Sequence, residues 1–176
     1  MGNLNIFDIS KATPHDASSI ESVNKRVWLT TYVNPKLSVT SKIIKQMFKK
    51  NDEVESNIQL LLKNSSHIFL IAKYLEKIVG YVHAAKNTNY NEIIALYIVK
   101  AYQRCGIGTL FLKQLFNWFD VHHNIYIEIV SYNSSAICFY AKHGFKPCDK
   151  YNTTDTNWNL LPSGKRLPVV YMCKSI

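Results

Sequence analysis

Two closely spaced glycines, Gly106 and Gly108, stand where a strand-like segment over 92–99 gives way to a helix-like segment over 109–120. Glycine permits backbone conformations that a Cβ disfavours and lets a ligand approach the main chain closely. The first turn of the helix adds unpaired N–H groups and the positive end of the helix dipole. This order predicts a site for an anionic phosphate group, although two glycines alone would also suit a tight structural connection.

The residues after the turn exclude two common phosphate motifs. A dinucleotide fingerprint needs a third glycine at position 111, and a nucleoside-triphosphate loop needs a Gly-Lys-Ser/Thr sequence that begins there. The chain has Phe111 and Leu112 at these positions instead. A different phosphate-bearing ligand is therefore expected.

A second strand–helix unit follows the first. Residues 125–130 are rich in β-branched side chains and predict a strand, while Asn133 and Gly144 suit the N-cap and the residue after the end of a short helix. Tyr140 lies about two helical turns after Asn133, so both side chains project from one face. A phenol with an ordinary pKa of about 10 stays protonated at neutral pH and can donate a proton.

Together the two units resemble the GNAT family of N-acetyltransferases, and the resemblance runs over nearly the whole chain. The turn matches the pattern Gln/Arg-x-x-Gly-x-Gly/Ala at Gln103, Gly106 and Gly108. The helix matches the pattern Asn-x-x-Ala-x-x-Phe-Tyr-x-x-x-Gly-Phe at Asn133, Ala136, Phe139, Tyr140, Gly144 and Phe145. The resemblance implies one α/β domain over 4–176, a mixed central sheet of about seven strands flanked by helices, and acetyl-CoA as the cofactor.

The resemblance also implies which residues bind the cofactor. The diphosphate of coenzyme A is expected against the main chain of the turn, with charge added by Arg104 and Lys142. The pantetheine arm is expected beside the strand at 96–98, where the N–H of Ile98 would polarise the thioester carbonyl, and at the amide of Asn133. Ordinary roles as core strand, helix cap or surface cation remain open for these residues. The expected cofactor-binding residues are Leu96, Tyr97, Ile98, Gln103, Arg104, Cys105, Gly106, Ile107, Gly108, Thr109, Asn133 and Lys142.

The same resemblance assigns the chemistry to Tyr140 and Glu92. Tyr140 is expected to protonate the departing thiolate, and Glu92, on the strand before the turn, to take the proton of the attacking amine. A core aromatic ring and a surface glutamate are the structural alternatives for these two side chains. Glu21, Trp28 and Tyr32 of the first long helix are expected to shape the acceptor pocket, unless they only pack that helix.

Length and composition limit the other classes of protein. A chain of 176 residues suits one domain with a sizeable core. Without an apolar run of ~20 residues or a secretory signal, a cytoplasmic protein with no membrane partner is expected. Four scattered cysteines predict free thiols, and the spacing of histidines and cysteines predicts no metal site.

The formal net charge of +9 raises the question of nucleic-acid binding. The lysines are spread thinly and do not interleave with aromatic residues as a base-stacking surface would. A solvated basic surface is therefore expected, with no nucleic-acid partner. Its positive field would help to attract anionic coenzyme A.

Hydrophobic periodicity and turn residues predict the remaining elements. Strands are predicted over 4–9, 67–73, 77–84, 92–99, 125–130 and 168–173. The first helix is predicted to start at the cap Thr13 with Pro14 in its first turn, and to end within 30–35. Further helices are predicted over 40–50, 53–63, 109–120 and between Asn133 and Gly144.

The predicted activity is transfer of an acetyl group from acetyl-CoA to a primary amine by direct attack on the thioester. The acceptor stays open between a polyamine, another small-molecule amine, and a peptide or protein amine. Val27-Trp28, Thr31-Tyr32 and the strand around Glu92 resemble the branch that contains bacterial spermidine/spermine acetyltransferases. A non-catalytic acyl-CoA-binding regulatory module of the same fold is the alternative, and either could form a homodimer.

Overall fold

A seven-stranded mixed sheet forms the centre of the molecule in the computed structural model, which describes residues 6–48, 52–152 and 157–175. The strands are β1 (Asp8–Lys11), β2 (His67–Tyr74), β3 (Lys77–Lys86), β4 (Asn91–Ile98), β5 (Ile125–Val130), β6 (Lys146–Pro147) and β7 (Val169–Lys174). Their spatial order is β1-β2-β3-β4-β5-β7-β6. Neighbouring strands are antiparallel except β4 and β5, which are parallel.

Five α-helices of the described residues cover the two faces of this sheet. They are α1 (Ala17–Thr31), α2 (Ser41–Met47), α3 (Asp52–Leu62), α4 (Ile107–Trp118) and α5 (Ser134–Lys142). On one face, Val23 of α1 and Ile58 of α3 pack in a buried cluster with β2 and β3. On the other face, Phe111 of α4 and Tyr140 of α5 pack in a second cluster. The expected α/β fold with a mixed sheet between helices is confirmed.

Most predicted elements are confirmed with small shifts at their ends, but the first strand is wrongly placed by the sequence. It lies at Asp8–Lys11 rather than over 4–9, because its position is set by pairing with β2, with Asp8 opposite Lys73. The two-residue strand β6 was not predicted, since only its pairing with β7 distinguishes it from a loop. Residues 4–5, 49–51, 153–156 and 176 of the predicted elements and domain lie outside the described residues.

Local side chains set the start of two helices. Asp16 Oδ2 accepts a 2.8 Å hydrogen bond from the Thr13 N–H, so the predicted cap at Thr13 is present, and a short 3₁₀ turn then leads into α1. Asn133 Oδ1 accepts a 3.2 Å hydrogen bond from the Ala136 N–H at the start of α5. Each cap satisfies a donor that the helix itself leaves unpaired.

The pair β4–β5 is closed at one end and open at the other. Its ladder runs only from Asn91 to Ile93 on β4, whereas β4 continues to Ile98. Asn91 secures the closed end, because its Nδ2 donates to the Asp120 carbonyl at 2.8 Å and to the His123 carbonyl at 2.7 Å. Beyond Ile93 the two strands leave a gap, here called the β4–β5 opening.

Three further features bear on the class of protein. The four cysteines are free thiols, as the sequence predicts. No helix in the described ranges is both long and apolar enough to cross a membrane. The described residues also contain no group of three or more His, Cys, Asp or Glu side chains that could hold a metal ion.

Candidate active site

Main-chain groups of β4 point into the β4–β5 opening. The Val99 N–H donates to the Val79 carbonyl of β3 at 2.9 Å. Successive N–H groups point to alternate sides of a strand, so those of Leu96 and Ile98 point away from β3 and toward the opening. The main chain of Tyr97 pairs with β3 instead. An extended ligand in the opening could therefore bind β4 at two positions, as an added strand would.

The turn at 103–109, here called the phosphate turn, is tied to the end of β4. Gln103 Nε2 donates to the Ile98 carbonyl at 2.9 Å. Arg104 and Gly106 have φ values of +63° and +87°, which is the left-handed region. Gly106 is the N-cap of α4, and no described atom lies within 4 Å of the position that a Cβ would occupy there. The turn thus combines an open surface with the free N–H groups of a helix start.

Gly108 allows close packing between α4 and α5. It is buried in the first turn of α4, where a Cβ would lie 2.9 Å from Cζ of Phe139. Beside this contact, Thr109 Oγ1 lies 3.3 Å from Nε2 of His143, whose Nδ1 lies 2.8 Å from the Phe139 carbonyl oxygen. Glycine at 108 and the imidazole at 143 therefore hold α4 and α5 together next to the phosphate turn.

The other predicted residues of this region divide between surface and core. Arg104, Cys105 and Lys142 are exposed, and Ile107 is buried. Cys105 Sγ lies 3.5 Å from the Gln103 carbonyl oxygen, within the turn itself. Two exposed cations, open main-chain donors and the uncrowded surface at Gly106 suit the diphosphate of coenzyme A.

Asn133 and Tyr140 are on one face of α5, as the spacing predicts. Asn133 caps the helix and its side chain also interacts with the Tyr32 hydroxyl. The Tyr140 ring is buried between Phe139 and Phe145, at centroid distances of 5.1 and 5.2 Å. Burial, with a smaller contribution from Tyr32, raises the pKa of Tyr140 above that of a free phenol. The hydroxyl therefore keeps its proton throughout the neutral range.

Aromatic side chains at the end of α1 pack against β4 near the opening. The Tyr32 ring packs edge-on against Trp28 at 4.8 Å and against Tyr97 at 6.4 Å. The Tyr97 hydroxyl interacts with the Tyr32 hydroxyl and with the Trp28 side chain. Trp28 and Tyr32 are buried, and the Trp28 ring also packs edge-on against Trp158 at 6.2 Å. Glu21 is half-buried about two turns before Trp28, roughly 10 Å nearer the start of α1.

Glu92 is buried at the closed end of the β4–β5 pair, with only 1% of its surface exposed. Tyr151 Oη donates a 3.0 Å hydrogen bond to its Oε1. The surface-glutamate alternative is therefore wrong for Glu92. Ala85 of β3 lies between Glu92 and His67 in the sheet register, so these two long side chains share one face across a small residue.

Further polar side chains that the sequence did not single out lie on the same face. Glu128 accepts hydrogen bonds from Trp158 Nε1 at 2.8 Å and from Asn159 Nδ2 at 3.4 Å. Partial burial raises the pKa of the Glu128 carboxyl, and the hydrogen bond from Trp158 opposes that shift. No short motif marks these residues, because they come from β5 and from the long connection before β7. Only the sheet register brings them beside Glu92.

The fold and this site define a class of protein. A sheet that opens between two parallel strands, with a phosphate turn at the end of the first and a protonated phenol beside it, suits an acyl-coenzyme A-dependent transferase.

Comparisons with known proteins identify the family. The model of the acetyltransferase (GNAT) family matches residues 37–145, which is more than half of the chain. Streptothricin acetyltransferase A of Bacillus subtilis (strain 168) is 28% identical over 154 residues, covering 82% of each protein. The chain therefore belongs to the GNAT family and is an acetyl-CoA-dependent N-acetyltransferase.

Solved structures show the same fold. The PaiA N-acetyltransferase of Thermoplasma acidophilum, in complex with coenzyme A, superposes with a TM-score of 0.75 at 18% identity, covering 97% of this chain and 99% of that one. A GNAT-family acetyltransferase of Streptococcus pneumoniae gives a TM-score of 0.68 at 21% identity, over 97% and 99% of the two chains.

Proposed function

We propose that this enzyme acetylates a primary amine of a small molecule by direct attack of the amine on the thioester, with Tyr140 as general acid and Glu92 as general base. The observation that carries the proposal is a pair of buried ionisable side chains: the Tyr140 phenol on α5 and the Glu92 carboxyl at the closed end of the β4–β5 pair. One can give a proton and the other can take one.

The cofactor would lie with its diphosphate on the phosphate turn and its pantetheine arm along the N–H groups of Leu96 and Ile98. When bound, acetyl-CoA supplies the activated acetyl group. Gly106 leaves room for the diphosphate, and Arg104 and Lys142 add positive charge. Asn133 would contact the arm beside its helix cap.

Tyr140 is suited to protonate the departing sulfur. Its pKa is raised by burial, so the proton is present whenever the leaving group needs it. The ring is held by Phe139 and Phe145, which limits the hydroxyl to a narrow range of positions. A phenol in a water-poor site donates without a large rearrangement of its surroundings.

The position of Glu92 favours the N–H of Leu96, rather than that of Ile98, as the group that polarises the thioester carbonyl. At about 3.3 Å per residue, Leu96 lies roughly 13 Å and Ile98 roughly 20 Å from Glu92 along β4. Fewer bridging waters would be needed to connect the Glu92 carboxyl with an amine beside Leu96 than with one beside Ile98. We therefore place the reacting carbon near Leu96.

The acceptor is proposed to be a cationic small-molecule amine. Streptothricin is the first candidate, because a relative at 28% identity is named for acetylating it. A polyamine is the second candidate. The buried carboxyl of Glu92 and the half-buried carboxyl of Glu128, with the Trp158 ring nearby, give the acceptor side a polar, aromatic character that suits an ammonium group.

An amine panel tests the proposal. Thiol release from acetyl-CoA is measured with streptothricin, spermidine and a peptide with a free N-terminus, and the expected result is turnover with at least one of the first two. Turnover with the peptide alone would reject the small-molecule acceptor.

Tyr140→Phe tests the acid. It should lower kcat about 100-fold or more and leave the Kd for acetyl-CoA unchanged, since general acid catalysis contributes on that order. Tyr74→Phe is the matched control, because that tyrosine packs with Phe7 and Tyr102 away from the opening. An unchanged kcat in Tyr140→Phe would remove Tyr140 as the acid.

A further inference from the structure

The proposed reaction releases one proton in each turnover. A protonated amine and a thioester give an amide, a thiol and one free proton, so the general base must pass a proton on before the next cycle. Glu92 is 1% exposed and cannot hand this proton directly to bulk water. The enzyme therefore needs a route from Glu92 to the surface.

In the sheet register, one row of residues runs from Glu92 toward the surface. His67 is opposite Ala85 on β3, and Ala85 is opposite Glu92 on β4. Strands lie about 4.8 Å apart, so the main chains of His67 and Glu92 are about 10 Å apart. Ala85 is fully buried and small, which leaves the space above it to the imidazole and the carboxylate.

His67 is held in place by a second histidine. Its Nδ1 lies 2.9 Å from Nε2 of His83, and the His83 ring stacks on Phe69 at 3.9 Å. Burial lowers the pKa of His67, and the nearby Glu92 opposes that shift. Burial, followed by the neighbouring His67, lowers the pKa of His83 to about 3. At neutral pH both rings are therefore neutral, and the more exposed His67 is the one able to accept a proton.

His67 opens onto the surface on its other side. It lines a groove of about 320 Å³ together with Lys11, Lys63 and Asn64. The two lysines are exposed and would repel a protonated imidazole, which favours release of its proton to water. The titratable groups around His67 are thus His83, Glu92, Lys11 and Lys63, from β3, β4, β1 and the end of α3.

We propose that His67 carries the amine proton from Glu92 to solvent. The step rests on the proposed role of Glu92. The ammonium gives its proton to the Glu92 carboxylate, directly or through water. The protonated Glu92 gives that proton to the neutral His67 and returns to its anionic form. The imidazolium then loses the proton to water in the groove. The relay consists of proton transfers only, with no oxidation or reduction.

His67→Gln tests the route, because glutamine keeps polar contacts but does not carry a proton. In weakly buffered solution kcat should fall about 10- to 100-fold, with the Kd for acetyl-CoA unchanged and a larger solvent deuterium isotope effect. Added imidazole should restore most of the lost rate by accepting the proton in the groove. Imidazole should change the wild-type rate little.

His122→Gln is the matched control, since that histidine is exposed in the turn before β5. It should show neither the loss nor the rescue. His67→Asn provides a second variant if His67→Gln is poorly folded by circular dichroism. A lower rate that imidazole does not restore would mean that His67 is only structural, and would overturn the proposal.

Glu92→Gln separates failure of the route from failure of the base. If Glu92→Gln is nearly inactive while both His67 variants match wild type at every imidazole concentration, Glu92 is the base and the route through His67 is wrong. If Glu92→Gln keeps the wild-type rate, the base assignment fails and the route fails with it. Absence of turnover in the wild-type protein with every amine would reject the proposed function itself.

Discussion

The phosphate turn presents main-chain groups from one continuous segment, whereas the polar row of His67, His83, Glu92 and Tyr151 draws side chains from three strands and a loop. The turn is exposed and depends on the backbone conformation of Arg104 and Gly106. The polar row lies on a covered face of the sheet and depends on strand register. Both regions meet β4, the turn at its end and the row at its start.

The two regions contribute to the same reaction in different ways. Main-chain donors bind any ligand with the right phosphate spacing and need no titration, so the turn should control affinity for the cofactor. Buried side chains change protonation, so the row should control rate and pH dependence and should cost stability in acid. Three substitutions test this division.

Gly106→Val should have the largest effect, a loss of cofactor binding accompanied by a loss of stability. A β-branched residue at φ +87° is strongly disfavoured, so the turn must change its conformation or carry strain. The Kd for acetyl-CoA, measured by calorimetry, should rise about 10- to 100-fold, in line with a cost of about 1–3 kcal/mol. The kcat at saturating cofactor should stay close to the wild-type value.

Gly164→Val provides a close control. Gly164 has φ +80° and equally open surroundings, but it lies in the turn before β7. It should show a similar loss of stability without a change in Kd. If Gly106→Val lowers kcat at saturation as strongly as it weakens binding, the division between the two regions breaks down.

His83→Phe should make the protein less sensitive to acid. The pKa of His83 is lowered to about 3 in the folded protein, first by burial. Below pH 6.5 the unfolded chain binds a proton here that the folded chain does not, so stability falls as the pH falls toward 3. At pH 5 this costs about 2 kcal/mol, and phenylalanine removes the cost.

The measurement is urea unfolding at pH 7 and pH 5. The loss of stability between the two pH values should shrink by about 2 kcal/mol in His83→Phe. The exposed His122 supplies the comparison variant, His122→Phe, which should keep the wild-type loss. Equal losses in all three proteins would show that His83 is not buried in its neutral form.

Tyr151→Phe should have the smallest effect, a modest loss of rate. The Tyr151 hydroxyl donates to Glu92 Oε1 at 3.0 Å and so holds this side chain in one orientation. Without the bond the side chain is held less firmly, and kcat should fall about three- to tenfold, in line with the loss of one hydrogen bond of about 1 kcal/mol. The Kd for acetyl-CoA should stay at the wild-type value.

Tyr126→Phe is the appropriate comparison for Tyr151→Phe. The two rings are 4.8 Å apart, so both substitutions remove a hydroxyl from the same aromatic group. Only the loss at 151 should lower kcat. An identical kcat for both variants and the wild type would mean that Tyr151 does not act on Glu92.

The candidate site could be predicted from sequence where its parts are local. Gly106 and the helix after it, and the pair Asn133 and Tyr140 on α5, are defined by short spacings, and the structure has them in the elements expected. Helix caps and left-handed glycines depend on neighbours within a few residues. The function followed because the GNAT motifs are themselves local.

The remaining parts depend on contacts between distant segments. The burial of Glu92 and its bond from Tyr151, 59 residues later, have no counterpart in sequence spacing. The place of β1 was wrong and β6 was not predicted, because each is determined by the strand it pairs with. The packing of Gly108 against Phe139 is likewise visible only when α4 and α5 are docked.

By itself the sequence determined the mixed α/β fold, the phosphate turn, the helix of Asn133 and Tyr140, and through their motifs the acetyl donor. The tertiary structure alone decided that β4 and β5 separate beyond Ile93, that Glu92 is buried, and that His67 and Tyr151 are its neighbours. The physical reason is the separation in sequence between the residues that determine each property. Backbone conformation is governed by residues a few positions apart, whereas register, burial and protonation are governed by whatever the folded sheet places alongside.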